Sequence, residues 1–422
     1  MRKKFSFVIF NCLLVLVLAA SLFVAGCGEE EPAVPEKTEI TIGGSRPLTG
    51  DGAIYEQTAF GPIYKMWIDD VNARGGLYIE EYGKKLPIAE PIIYDNGSDI
   101  ATMTRQLERL MTVDKVDIVL PPAGTAFLFA AAPIFNKHGY VLLGAEGGAT
   151  TITDQLPSLP YFFGVLNYSD RYQMPVLADI FVEVGVEKVA MIWLQDLHGI
   201  EYSGVATVEF DKAGIEVVMS KSVPMAVEDV SLLLLQAQAL DADALCVFAY
   251  PPQCFLTVGT AAAMGINFDA ILLGPGGCFA AFPDAFGPAV EGVMFEGAWN
   301  CNSTPGAAEF CEEFYSVYPP AIADWWGHLL YQGAIEFFEH AIVEAGTLDH
   351  SVIREVMATS TFDTVLGPTW FDQIGEGGCL LAIECHPGEI GQWQNGSPEV
   401  IDPGAHRTAE PVYPKPDWPT AP

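Results

Sequence analysis

Residues able to do chemistry are sparse in this chain, and their spacing argues mostly against catalysis. No Walker-type phosphate loop occurs, because Gly83-Lys84-Lys85 lacks both the upstream glycine and the hydroxyl residue. Neither a G-x-S-x-G elbow nor an HExxH pair is present. The histidines at 138, 198, 328, 340, 350, 386 and 406 stand singly, and Cys385-His386 has no second ligand pair at metal spacing. Four small-residue loops carry the remaining signal: Leu120–Thr125, Gly144–Gly148, Ala249–Pro252 and Gly274–Gly277. Each follows an apolar strand. A strand, a small-residue loop and a helix with Thr125 as its N-cap would present free backbone N–H groups and a positive dipole end, a seat for a carboxylate that needs no Lys or Arg.

The elements that must position those loops alternate. Strands are expected at 39–43, 88–94, 116–120 and 140–143, with helices over 56–72, 100–113 and 126–136 between them. The rhythm restarts with strands at 188–194, 215–219, 244–248 and 271–273 and helices at 201–212, 230–239 and through Ala261-Ala262-Ala263. Strands separated by helices of this length imply right-handed βαβ units and parallel sheets covered on both faces. Two runs imply an α/β fold of two doubly wound lobes, with ligands beyond the carboxyl ends of the strands. The last 36 residues hold eight prolines and are expected to be irregular.

Composition narrows the partners. The 422 residues include 20 Lys+Arg against 54 Asp+Glu, a net charge of -34, which repels nucleic acid and anionic lipid alike. Arg2, Lys3 and Lys4 precede an apolar stretch from Phe5 to Val24 that ends in Val24-Ala25-Gly26-Cys27, the pattern of a secretory signal with an acylated cysteine. Residues 1–26 would be the leader, Cys27 the lipidation site and 27–37 an acidic tether, leaving the protein outside the cytoplasmic membrane on a lipid anchor. Seven cysteines then remain, with Cys379/Cys385 and Cys301/Cys311 as the possible bridges. No metal or cofactor is expected.

Several stretches carry a family likeness. Ile40–Gly50 (ITIGGSRPLTG), Asp69–Gly76 (DDVNARGG) and Tyr94–Asp99 (YDNGSD) resemble the leucine/isoleucine/valine-binding protein family, the type I periplasmic substrate-binding proteins of ABC importers. Val186–Ala190, Gly287–Val293 and Ala341–Thr347 extend the likeness from about residue 38 to about 400. The resemblance implies two lobes joined by three crossings, one of 38–165 plus 300–368 and one of 166–299 plus 369–402, followed by a Pro-rich tail at 403–422. It implies no enzyme, a small-molecule ligand held by lobe closure, and an ABC permease and ATPase as partners.

The family's ligand residues correspond to Ala123, Gly124 and Thr125 for the ligand carboxylate, then Glu146, Gly147 and Gly148. Tyr55 and Tyr250 correspond to the aromatic walls and His198 to a common Tyr. Gly276 stands where amino-acid binders commonly place the Glu that pairs with the α-ammonium. The assisting Asp aligns with Asn167, with Asp170 three residues on. Glu146 or Asp170 would have to supply the missing charge, or the ligand has no ammonium. Trp325-Trp326 is expected in the core rather than in the cleft. A solute-binding lipoprotein for an amino acid is one reading; an aromatic or other ammonium-free acid, or the sensing module of a receptor, are the alternatives.

Overall fold

A computed structural model describes residues 36–148, 150–165, 169–297, 301–319, 327–386, 388–404 and 406–419. The leader, Cys27, Asn167 and Trp325-Trp326 lie outside them. Among the described residues no helix is long and apolar enough to cross a membrane.

Strand alternation builds the larger sheet. Its seven strands lie in the order 397–402, 390–394, 293–296, 270–273, 244–248, 188–194 and 216–223. The five from 293–296 onward are parallel, and the other two complete the edge as an antiparallel hairpin. Ala190, Ile192, Leu245, Val247, Ile271 and Leu273 pack on one face, while Val189, Met191, Ala244, Cys246, Ala270 and Leu272 pack on the other. This period of two with both sides buried is what a sheet sandwiched between helices requires. The helices Asp170–Val184 and Leu197–Ala213 cover one face, and Ser231–Ala239 and Pro251–Met264 the other.

The other lobe carries a parallel three-stranded sheet (92–95, 42–46, 118–119) and a five-stranded one (361–364, 367–373, 379–381, 162–164, 142–144). The chain passes between lobes three times: between Gly164 and Asp170, between Glu296 and Pro305, and between Leu381 and Ile390. The third passage falls later than the expected 368/369 boundary, because Gly367–Gln373 and Cys379–Leu381 stay in the sheet of Phe162–Gly164.

Two other expectations are corrected. The last 36 residues are not uniformly irregular: Ile390–Gln394 and Ser397–Asp402 form the edge hairpin, tight at its turn through Asn395 and Gly396, both at positive φ. Pro-rich composition conceals them, since all the prolines but Pro387 fall at the edge strand and beyond. Among the described residues from 403 onward there is no further strand or helix, yet Lys415 N–H donates to the Asp269 carbonyl and Trp418 packs on the core. Of the possible bridges, Cys301–Cys311 is formed, whereas Cys379 and Cys385 are free thiols.

Candidate ligand cleft

A cavity of about 480 Å³ lies between the lobes. The first lobe contributes Tyr55, Phe60, Ala123, Gly124, Thr125, Phe127, Glu146, Gly147 and Gly148; the second contributes His198, Tyr202, Tyr250, Pro252, Gln253 and Pro275. Tyr55 meets Tyr250 edge-on at 6.2 Å and Phe279 at 5.7 Å, so aromatic rings from both lobes touch across it.

The helix Thr125–His138 opens on this cavity. Its first intrahelical bond runs from Leu128 N–H to the Gly124 carbonyl, leaving the N–H groups of Thr125, Ala126 and Phe127 ahead of the ladder. Gly124, at φ 95°, is the N-cap in place of the expected Thr125, which becomes the first helical residue; no side chain caps this end. The second loop is locked onto the first by a 2.9 Å bond from Gly124 N–H to the Glu146 carbonyl. A Cβ on Gly147 would stand 2.8 Å from both Cα and N of Thr125, so only glycine lets the loops run this close. The helices Leu197–Ala213 and Pro251–Met264 also begin at the cavity wall, through His198 and through Pro252 and Gln253. The Asp196 carboxylate already caps the helix of His198, accepting from Gly199 N–H at 2.9 Å, so two helix starts without a side-chain cap, at Thr125 and Pro251, face an apolar, aromatic space, which suits a carboxylate on an apolar body.

The acids behave differently from one another. Glu146 is buried and already paired: Arg46 Nη1 and Nη2 lie 3.0 Å from its Oε1 and Oε2. Tyr64 also donates to Oε1. Arg46, equally buried, is shared with Glu56 at 2.7 Å, and its guanidinium stacks over Phe60 and Tyr64. Burial pushes the Glu146 carboxyl up to about 7, with Arg46 opposing the shift. Asp170 is not in this cavity. It lies under a separate depression with Glu201 and accepts from Thr150 N–H at 3.2 Å and from the Thr150 hydroxyl.

Gly276 does not line the cavity either. It sits in the buried turn Pro275–Cys278, where a Cβ would approach Pro251 Cα to 2.6 Å and Cys254 Cβ to 2.9 Å. This position has no room for the family's glutamate. The remaining acid in the lining is exposed Asp51, at the rim. Sequence reasoning missed Phe60, Phe127, Tyr202 and Gln253; Tyr202 was signalled only by its i+4 spacing from His198 on one helix face. Among the described residues no group of three or more His, Cys, Asp or Glu is placed to hold a metal.

A two-lobed α/β molecule with its cavity at the carboxyl ends of parallel strands defines a type I solute-binding protein. The periplasmic binding protein family model matches residues 39–385, and the chain belongs to that family, one of binding proteins rather than enzymes. It is 23% identical over 404 residues to Leu/Ile/Val-binding protein homolog 7 of Brucella abortus, covering 90% of this chain and 95% of that one. The substrate-binding protein LivJ from Streptococcus pneumoniae, solved with isoleucine, superposes with a TM-score of 0.72 at 21% identity, over 87% of this chain and 100% of that one. A solute-binding protein from Rhodopseudomonas palustris, solved with 3,4-dihydroxy benzoic acid, gives 0.68 at 18% identity, over 92% and 99%.

Proposed function

We propose that this protein is the extracytoplasmic solute-binding lipoprotein of an ABC importer, closing its lobes on a small carboxylate that carries no ammonium group. One observation carries the ligand class: Glu146, Asp170 and position 276, the places that sequence offers for a partner to an ammonium, are each spent or excluded. Glu146 is held by Arg46, Asp170 by Thr150 outside the cavity, and Gly276 has no space for a side chain. A buried ammonium without an anion costs several kcal/mol. The convergent helix ends would seat the carboxylate, and Tyr55, Tyr250, Phe60 and Phe127 would enclose the apolar body. Export is supported by the leader pattern and by the Cys301–Cys311 bridge, which needs an oxidising compartment. Anchoring rests on Cys27, and the permease and ATPase are partners by family.

A second reading has its own observation. Exposed Asp51 lines the cavity mouth and could face the ammonium of a branched-chain amino acid, the ligand class named for the relatives. A thermal-shift panel on protein unfolded, dialysed and refolded tests both. A carboxylate at ~100 times its dissociation constant stabilises by about 2.7 kcal/mol, several degrees in Tm. Shifts with benzoate or isocaproate support the proposal; a shift with leucine, isoleucine or valine alone supports the second reading.

A further inference from the structure

The cleft has a charge problem that its wall residues solve in one way. Among the described residues its lining contains no Lys or Arg, and the cation behind it, Arg46, is already shared between Glu56 and Glu146. A carboxylate enclosed there enters a region whose fixed side-chain charge is already negative. Helix ends supply partial charge only, roughly half a unit each.

Among the described residues His198 is the one lining side chain able to become a cation. Its ring stacks on Tyr250 at 5.3 Å and lies against Tyr202 at 4.4 Å, and it is only 3% exposed. Behind it stands Glu296, the last residue of its strand and fully buried, with Oε2 3.6 Å from His198 Nε2. Neither His198 Nε2 nor either Glu296 oxygen has a hydrogen-bond partner among the described residues. An unpaired buried acid beside an unpaired buried imidazole, one wall away from a ligand cavity, is expensive to keep without a use.

Among the described residues, the titratable groups acting on the pair or on its flanking tyrosines are acidic, phenolic or thiols. Asp196 and Glu201 come from the helix of His198 or its cap, Asp170 from the helix Asp170–Val184, and Tyr202 and Tyr250 from the flanking walls. Cys246 and Cys254 complete the set, and burial pushes both thiols up. Burial drives His198 toward its neutral form and Glu296 toward its protonated form.

We propose that binding of a carboxylate is coupled to uptake of one proton from solvent onto the His198 imidazole, whose Nε2–H then bonds to Glu296. The ligand stays ionised, no other bond changes, and the new imidazolium neutralises the buried anion. Glu296 keeps its own carboxyl proton throughout and acts as a positioning residue, its carbonyl oxygen accepting from the Nε2–H of His198, so the proton gained is solvent's. The proposal rests on the carboxylate reading above. Its sign follows from linkage. His198 titrates below its ordinary value in the empty cleft and above that in the filled one, so affinity falls by up to about tenfold per pH unit as pH rises between the two.

The test is calorimetry with isocaproate, benzoate and leucine in buffers of different ionisation enthalpy across about pH 6 to 8. The expected result is close to one proton taken up per isocaproate or benzoate. That uptake disappears in His198→Gln, falls in Glu296→Leu and is restored in Glu296→Gln, whose amide oxygen replaces the acceptor. Binding without uptake, uptake that survives His198→Gln, or no binding of any of the three overturns the proposal. Failure of the ligand reading looks different: leucine alone binds. Its proton count then decides, with uptake lost in His198→Gln supporting the role of His198 and no uptake overturning it.

Discussion

Arg46 and Glu146, 100 residues apart in sequence, meet as a two-contact ion pair at 3.0 Å beneath the ligand cavity, both almost wholly buried. The pair joins the end of the first strand to the second anion-seating loop, so it fixes that loop and removes Glu146 from the acids open to a ligand.

Removing one partner leaves the other's charge buried. Arg46→Met should therefore destabilise the fold by about 3–5 kcal/mol, read by urea unfolding. Glu146→Gln should cost less, because Arg46 keeps Glu56. Equal effects would mean that Glu56 contributes nothing.

Gly276 is a test of exclusion. Gly276→Glu, which installs the residue common in amino-acid binders, should give no leucine affinity. It should also lower stability by about 1–3 kcal/mol through overpacking against Pro251 and Cys254. A stable variant that gains leucine binding would contradict the packing account.

Gly147→Ala places a methyl 2.8 Å from Thr125 and forces the two loops apart. Carboxylate affinity should fall at least about tenfold, as 1.4 kcal/mol of lost anion contact implies, while far-UV circular dichroism stays unchanged.

Glu201 gives a pH signature. Burial, then the charge of Asp170, pushes its carboxyl up to about 7 from 4.5. A raised acid favours the folded state fully below the lower value, and that contribution is lost as pH rises toward the upper one. Wild type should lose stability relative to Glu201→Gln between those limits, and a constant difference would contradict the assignment.

Much of this was legible in sequence, for local reasons. The strands at 188–194 and 244–248 are found where apolar periodicity puts them; the loops at 123–125, 146–148 and 250 line the cavity because strand-end loops declare themselves by Gly and Pro, and Tyr55 and His198, which the family resemblance implied, line it as well. What failed was non-local. Nothing local in the sequence ties Arg46 to Glu146, 100 residues on; only the fold pairs them. Sequence analysis does not single out Glu296; only the helix Leu197–Ala213 lays His198 against it. Gly276 is a departure whose meaning, no space rather than a lost charge, exists only once Pro251 packs on it. The hairpin at 390–402 was hidden by its prolines.

The central claim is that the cleft takes a carboxylate and refuses an ammonium. Leucine and isocaproate share one carbon skeleton and differ only by that ammonium, so their binding to ligand-free protein by calorimetry tests it most directly. The account predicts measurable affinity for isocaproate and at least about a hundredfold weaker binding of leucine, the scale of burying an unpaired charge. Leucine binding as tightly as isocaproate, or more tightly, would contradict it.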